Sequence, residues 1–164
     1  MTDEESQPDI NMDKHHGIWF NNQVWELLSK KNRSAEDDEL MIHSAHKSYL
    51  HWCSAGTALH RQRRTWMLSH VYVQLGLGER ALHYAKKCAA LEMEYAKLMR
   101  DFDIEYASEA MARACAVSGD LAKAAQHYKQ AEQDGDKIGD PKDKEIFLED
   151  LKDGNWGEFQ PEED

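Results

Sequence analysis

The sequence predicts an all-α fold, because its prolines, its composition and its turn signals all favour helices. The chain of 164 residues contains Pro8, Pro141 and Pro161, and none of these lies between residues 9 and 140. That interval is rich in Ala, Leu, Glu, Lys, Gln and Met, which are good helix formers. Short polar or glycine-containing stretches divide it into segments of ordinary helix length. We therefore expect a series of helices joined by short turns.

Three helices are predicted in the N-terminal half of the chain. The first covers 18–31, where large apolar residues recur at helical spacing. Ser34 then serves as N-cap of a second helix over 35–54, with an acidic residue three positions later in a variant capping box. A third helix covers 58–75 and ends at Gly76.

Four more helices are predicted in the C-terminal half. The stretch 79–118 contains neither Gly nor Pro and is too long for one ordinary helix, so we place a break near 101–103. The sixth helix covers 121–134. Asp140 as N-cap and Pro141 as first helical residue start a short helix that covers the end of the stack.

The acidic residues divide the chain into three parts. The net charge is −11, and most of the excess lies in the first 14 and the last 33 residues. We expect a disordered acidic N-terminus at 1–14, a helical domain at 15–152 and an acidic C-terminal tail at 153–164. Because phosphates repel a protein of this charge, nucleic acid is not expected as a partner.

Composition also predicts a cytoplasmic protein that does not enter a membrane. No apolar stretch approaches the ~18 residues of a membrane span, and the N-terminal residues lack the basic and apolar regions of a signal peptide. Cys53, Cys88 and Cys115 are odd in number and far apart, which indicates no disulfide framework and fits a reducing compartment.

An internal repeat joins the segments that start at Trp66 and Ala110. The turn glycines Gly76 and Gly119 set an offset of 43 residues between the two copies. A helix hairpin needs small residues where its helices cross, and stacked hairpins bury a face that neither could bury alone. Small residues recur in this way at three matched positions, Ser69 with Ala112, Ala81 with Ala124 and Cys88 with Ala131.

This pattern resembles the tetratricopeptide repeat over residues 62–134. The family period is ~34 residues, so the longer offset implies about two extra helical turns, placed between Glu79 and Arg100. With a diverged unit at 18–54, the resemblance implies an α-solenoid of two to three antiparallel hairpins. The motif positions are Leu68, Ser69, Tyr72, Leu75, Gly76, Ala81, Leu82, Tyr84 and Cys88, then Met111, Ala112, Gly119, Ala124, Tyr128 and Ala131.

The resemblance further implies a non-catalytic interaction module, an adaptor or scaffold whose concave groove holds a peptide or a partner helix. Met67 and Ala110 stand where carboxylate-clamping members have Asn, so the expected ligand is apolar or amphipathic with an acidic contact. Alternatively, Trp66 and Met67 belong to the core and pack on the helix 35–54. The implied groove residues are Arg63, Trp66, Met67, His70, Val73, Gln74, Tyr106, Glu109, Arg113 and Val117.

Two polar clusters leave other interpretations open. Arg61, Arg63 and Arg64 are either a solvated helix start or an anchor for an acidic peptide or phosphate, including the chain's own tail. The second cluster lies on one helical face at spacing that suits a metal ion, and consists of Glu39, His43 and His46.

A small metal-binding helical protein or metal-dependent enzyme is thus the alternative function. The sequence contains neither Glu-x-x-His nor His-Glu-x-x-His, so we expect no catalysis and no cofactor. A homo-oligomer is a third alternative, because an open stack of two or three repeats exposes an apolar end.

Overall fold

The computed structural model describes residues 10–161, and its regular secondary structure there consists of helices joined by short turns, without strands. Each helix packs against the next one along the chain, and the third also contacts the fifth. None of the helices in the described part is long and apolar enough to cross a membrane. The seven α-helices are α1 (Met12–Leu28), α2 (Ala35–Ala55), α3 (Ala58–Gln74), α4 (Gly78–Glu94), α5 (Asp101–Ser118), α6 (Leu121–Gly135) and α7 (Pro141–Lys152).

Two predicted helix starts are confirmed with their capping residues. The Asp37 backbone N–H donates to Ser34 Oγ over 3.1 Å, and the Ser34 N–H donates to the Asp37 carboxylate over 3.2 Å, which completes the capping box of α2. Asp140 caps α7, and Pro141 is its first residue. The all-α prediction is therefore confirmed for residues 10–161.

The first helix starts earlier than predicted. Asn11 accepts a hydrogen bond from the Lys14 backbone N–H over 3.0 Å and so caps a helix that begins at Met12 rather than at Ile18. Residues 12–14 are thus helical, although the sequence predicted disorder over 1–14. The rest of that prediction, over 1–9, lies outside the described residues.

The break in the long uninterrupted stretch also lies elsewhere than predicted. The helix α4 ends at Glu94, and a short 3₁₀ turn, Ala96–Leu98, leads to α5. The additional residues of the first repeat therefore form a connection instead of two extra helical turns. The Asp103 carboxylate accepts from the Arg100 N–H over 2.9 Å and fixes the start of α5 from its first turn.

The small residues of the repeat lie where α3, α4 and α5 meet. Ala81, Ala85 and Cys88 on α4 are fully buried, and Ser69 Oγ of α3 donates to the Ala81 carbonyl over 2.9 Å. Such side chains allow close backbone approach, and Ala81 and Ala85 pack in one buried cluster with Tyr72 and Val73 of α3 and with Ala110 and Ala114 of α5. We call Ala81, Ala85 and Cys88 the small-residue seam.

The segment after α7 is packed against the helices, which the sequence did not predict. Trp156 is 6% exposed and lies edge-on to Tyr128 of α6, with 5.1 Å between ring centroids. Asn155 Nδ2 donates to the Val73 carbonyl over 3.0 Å. Residues 153–161 therefore belong to the helical body, while the remaining tail lies outside the described residues.

Candidate functional site

A groove with a cavity volume of about 720 Å³ is lined by one face of α1, α3 and α5, by the end of α7 and by the residues just after it. Of the residues predicted for a groove, all except Val73 and Val117 line this cavity. Val73 is 1% exposed and packs in the core. The lining residues are Trp25, Leu28, Ser29, Gln62, Arg63, Arg64, Trp66, Met67, His70, Gln74, Phe102, Asp103, Tyr106, Glu109, Arg113, Asp150, Asp153 and Gly154.

Aromatic rings form one wall of the groove. Trp66 of α3 stacks on His70 with 4.9 Å between centroids and 13° between planes, because these residues are one helical turn apart. Tyr106 of α5 meets Trp66 edge-on at 5.5 Å. The Trp25 ring of α1 has its centroid 6.3 Å from that of Trp66, and Trp25 is 46% exposed. We call Trp25, Trp66, His70 and Tyr106 the aromatic wall.

The sequence left open whether Trp66 and Met67 face the groove or the core. Met67 is 3% exposed and packs with Val24 and Met41, so most of its surface belongs to the core. Trp66 packs against the same core while its ring forms part of the aromatic wall. Both residues line the groove, but only Trp66 is half-buried there.

One ion pair links α3 to the start of α5 along the groove. Arg63 donates from Nε to Asp103 Oδ1 over 2.8 Å and from Nη2 to Oδ2 over 3.2 Å, which is a bidentate pair. The Asp103 side chain is 1% exposed, and the Arg63 side chain is 30% exposed. The Arg63 guanidinium also lies 4.9 Å from the centroid of the Phe102 ring. Its charge is therefore compensated within the chain.

A second, fully buried ion pair underlies the aromatic wall. Glu109 and Arg113 are one turn apart on α5, and their side chains are 3% and 4% exposed. The Trp66 indole N–H donates to Glu109 Oε2 over 3.0 Å. Arg113 also donates to the Asp150 carbonyl and lies 4.3 Å from the centroid of Trp156, so it joins α5 to the C-terminal segment.

Burial shifts the titration of two groups in the aromatic wall. It lowers the pKa of His70, because the positive imidazolium is poorly solvated there, so the ring is neutral at pH 7. It also raises the pKa of the Tyr106 hydroxyl, which donates to the Asp150 carboxylate. The wall thus presents neutral rings, which suits contact with apolar groups.

Arg64 differs from the other two arginines of the groove. It donates to the side-chain oxygen of Asn21 on α1, and no carboxylate pairs with it within residues 10–161. Burial, together with the neighbouring Arg63, lowers its pKa to about 10. At neutral pH, Arg64 therefore carries a half-buried positive charge that the described part of the chain does not neutralise.

The proposed metal ligands do not form a metal site in this structure. Glu39 and His43 are exposed, with 3.7 Å between Glu39 Oε1 and His43 Nε2. His46 Nε2 instead shares a hydrogen bond of 2.9 Å with the Tyr72 hydroxyl. Burial and the charge of nearby His43 lower the pKa of His46. Among the described residues, no three His, Cys, Asp or Glu side chains are grouped to hold a metal ion.

The sequence did not predict part of the groove, because elements far apart in the chain supply it. Trp25 comes from α1, and Asp150, Asp153 and Gly154 come from the end of α7 and the segment after it. No local pattern places these residues beside α3 and α5. Trp25 lies on α1, whose opposite face is buried, but its exposure becomes apparent only when the neighbours of that helix are known.

Comparisons with known proteins leave the family open. No protein-family model matches the chain, and no curated protein or solved structure is found to be similar to it. The resemblance to the tetratricopeptide repeat therefore stays a prediction from the sequence.

Proposed function

We propose that this protein is a non-catalytic interaction module that binds a short segment of a partner protein in the groove between α1, α3, α5 and the end of α7. The observation that carries the proposal is the aromatic wall, in which Trp25 remains 46% exposed beside Trp66 and Tyr106. Trp, Tyr and Arg dominate the binding energy of protein interfaces, and the groove combines all three.

The dimensions and chemistry of the groove also support a peptide ligand. A cavity of about 720 Å³ falls within the range of roughly 300–1,000 Å³ that is typical of binding pockets, enough for a few side chains of a partner. Its rings are neutral, and each carboxylate of its two ion pairs accepts from an arginine of the same chain. The proposal places the module in a tetratricopeptide-like solenoid in the cytoplasm, as the sequence predicts.

Two tryptophans of α1 provide a matched pair of variants for the test. Trp25 lines the groove, while Trp19 lies outside it and is 51% exposed. A randomised library of 12-residue peptides is selected against the full chain, and enriched peptides are measured by fluorescence anisotropy. We expect Trp25→Ala to weaken binding at least 10-fold and Trp19→Ala to change it less than 2-fold. Circular dichroism checks that both variants are folded.

A selection that enriches no binding peptide against the folded protein would overturn the proposal. Peptides that bind Trp25→Ala as tightly as wild type, or that lose affinity equally in both variants, would place the binding surface elsewhere on the molecule.

Self-association stays a prediction that the same protein preparation can test. The described apolar residues Met12, Ile18 and Trp19 of α1 are each about half-exposed, at 52%, 44% and 51%. Sedimentation at high concentration separates a monomer from an oligomer.

A further inference from the structure

The surroundings of Arg64 point to the chemistry of the groove's ligand. An arginine that is half-buried without a carboxylate is unfavourable, because removing a charge from water costs free energy that a counter-ion normally offsets. Asn21 supplies a hydrogen bond to Arg64 but no negative charge. A guanidinium has five N–H donors, so a single amide oxygen leaves donors for a further acceptor.

The neighbouring charge that shifts the pKa of Arg64 is the positive charge of Arg63, and no carboxylate of the groove raises that pKa. Asp103 already receives both hydrogen bonds of Arg63, and Glu109 is paired with Arg113. Asp150 accepts from Tyr106, and its carbonyl accepts from Arg113. Arg64 is therefore the arginine of the groove that lacks a carboxylate partner within residues 10–161.

Arg64 also lies close to the exposed part of the aromatic wall. Its partner Asn21 is one helical turn before Trp25 on α1, so the two residues lie on the same face of that helix. A ligand that reaches Arg64 from the groove therefore passes beside Trp25. The groove thus offers an unpaired cation and an apolar surface at adjacent positions.

We propose that the bound partner segment carries an Asp or Glu side chain that pairs with Arg64, next to an apolar side chain that packs on Trp25 and Trp66. This inference rests on the proposed function, because it names the chemistry of a ligand for the same groove. A carboxylate matches the guanidinium as a bidentate partner. It also brings a single negative charge, which matches the single positive charge of Arg64.

Two arginines of α3 allow the test to separate Arg64 from general charge effects. Arg61 lies outside the groove and near Tyr95, at 5.9 Å from its ring centroid. Arg64→Gln and Arg61→Gln therefore remove the same charge from the same helix. The probes are a peptide enriched by the selection on the full chain and its counterparts with each Asp or Glu changed to Asn or Gln.

We expect the enriched peptides to contain an acidic residue next to an apolar one. On wild type, changing that acidic residue to its amide should weaken binding at least 10-fold, while on Arg64→Gln the same change should have less than a 2-fold effect. Arg61→Gln should retain the 10-fold discrimination. Such coupling between one peptide residue and one arginine is what a direct ion pair produces.

Failure of the inference differs from failure of the proposed function. Peptides that depend on Trp25 but lack acidic residues, or that discriminate acid from amide equally on Arg64→Gln, would overturn the inference and leave the groove as a binding site. A peptide whose phosphoserine form binds more tightly than its Glu form would also overturn it. The absence of any peptide dependent on Trp25 would overturn the proposed function as well.

Discussion

The small-residue seam and the groove both bury residues of the same helical stack, but they do so in different ways. Ala81, Ala85 and Cys88 of the seam are completely buried and have no charge. In the groove, α5 buries Glu109 and Arg113 at 3% exposure each. One surface is held by close packing of small apolar groups, the other by ion pairs within the chain.

This difference separates stability from binding. Burying apolar surface stabilises a fold, whereas a buried ion pair is often no better than apolar residues of the same shape. The seam therefore accounts for the packing of the helices. The fold does not need charged residues in the groove for its stability. The buried ion pair instead positions the walls of the groove, because Glu109 accepts from the Trp66 indole and Arg113 donates to the Asp150 carbonyl.

The largest effect is expected from removing one member of the buried ion pair. Glu109→Leu leaves the Arg113 guanidinium buried without its carboxylate and removes the acceptor of the Trp66 indole. We expect the free energy of unfolding to fall by about 4 kcal/mol, measured by urea denaturation.

The double variant Glu109→Leu/Arg113→Met is the control for this change. It removes both charges together, so most of the stability should return, to within about 1 kcal/mol of wild type. A double variant as unstable as Glu109→Leu would show that the two side chains contribute packing or hydrogen bonds that apolar residues cannot replace.

A somewhat smaller effect is expected in the seam. Ala85→Leu adds a large side chain where α4 is fully buried, so overpacking should lower the free energy of unfolding by about 2 to 3 kcal/mol. The same substitution at exposed Ala90 of α4 should change it by less than about 0.5 kcal/mol. Equal effects of the two variants in urea denaturation would contradict close packing in the seam.

Glu105 of α5 tests a buried charge that belongs to neither surface. It is 4% exposed, its Oε2 has no hydrogen-bond partner, and burial raises its pKa to about 7 from 4.5. Below pH 4.5 the group is protonated in both states. Between pH 4.5 and 7 the unfolded chain loses the proton first, so the free energy of unfolding falls as the pH rises.

Glu105→Gln should remove this pH dependence. We expect the variant to be more stable than wild type by about 3 kcal/mol at pH 8 and nearly equally stable at pH 4.5, by urea denaturation. The control is Glu94→Gln at an exposed position of α4. It should change the free energy of unfolding by the same small amount at both pH values. If Glu105→Gln alters stability by the same amount at pH 4.5 and pH 8, the raised pKa is wrong.

The sequence was most informative where helix boundaries depend on neighbouring residues. The capping pair of Ser34 and Asp37 and the start at Asp140 and Pro141 are local signals, and the structure has them as predicted. The start of α1 was missed because Asn11 is a lone cap that follows an acidic, helix-poor stretch. Local chemistry thus fixes most helices but not every end.

The groove was only partly predictable because it depends on helix neighbours far apart in the chain. The resemblance to the tetratricopeptide repeat implied that Arg63, Trp66 and Glu109 share one surface, since equivalent helices of adjacent hairpins align in such a stack. It gave no indication that Asn21 would contact Arg64, or that Trp156 would cover Arg113. Those contacts depend on how the first helix and the last segment pack, which no periodicity encodes.

The smallest effect on stability is expected at Arg64, and its neighbour Arg63 provides the contrast. Arg63→Gln leaves the almost fully buried Asp103 carboxylate without its bidentate partner, so it should cost about 2 kcal/mol in urea denaturation. Arg64→Gln removes a half-buried charge that no carboxylate in residues 10–161 offsets, so the loss of its hydrogen bond to Asn21 is balanced by the removal of a poorly solvated charge. We therefore expect a change of less than about 0.5 kcal/mol. A loss above about 1 kcal/mol would mean that Arg64 stabilises the contact between α1 and α3, whereas an unchanged stability leaves ligand binding as the reason for a cation at this position.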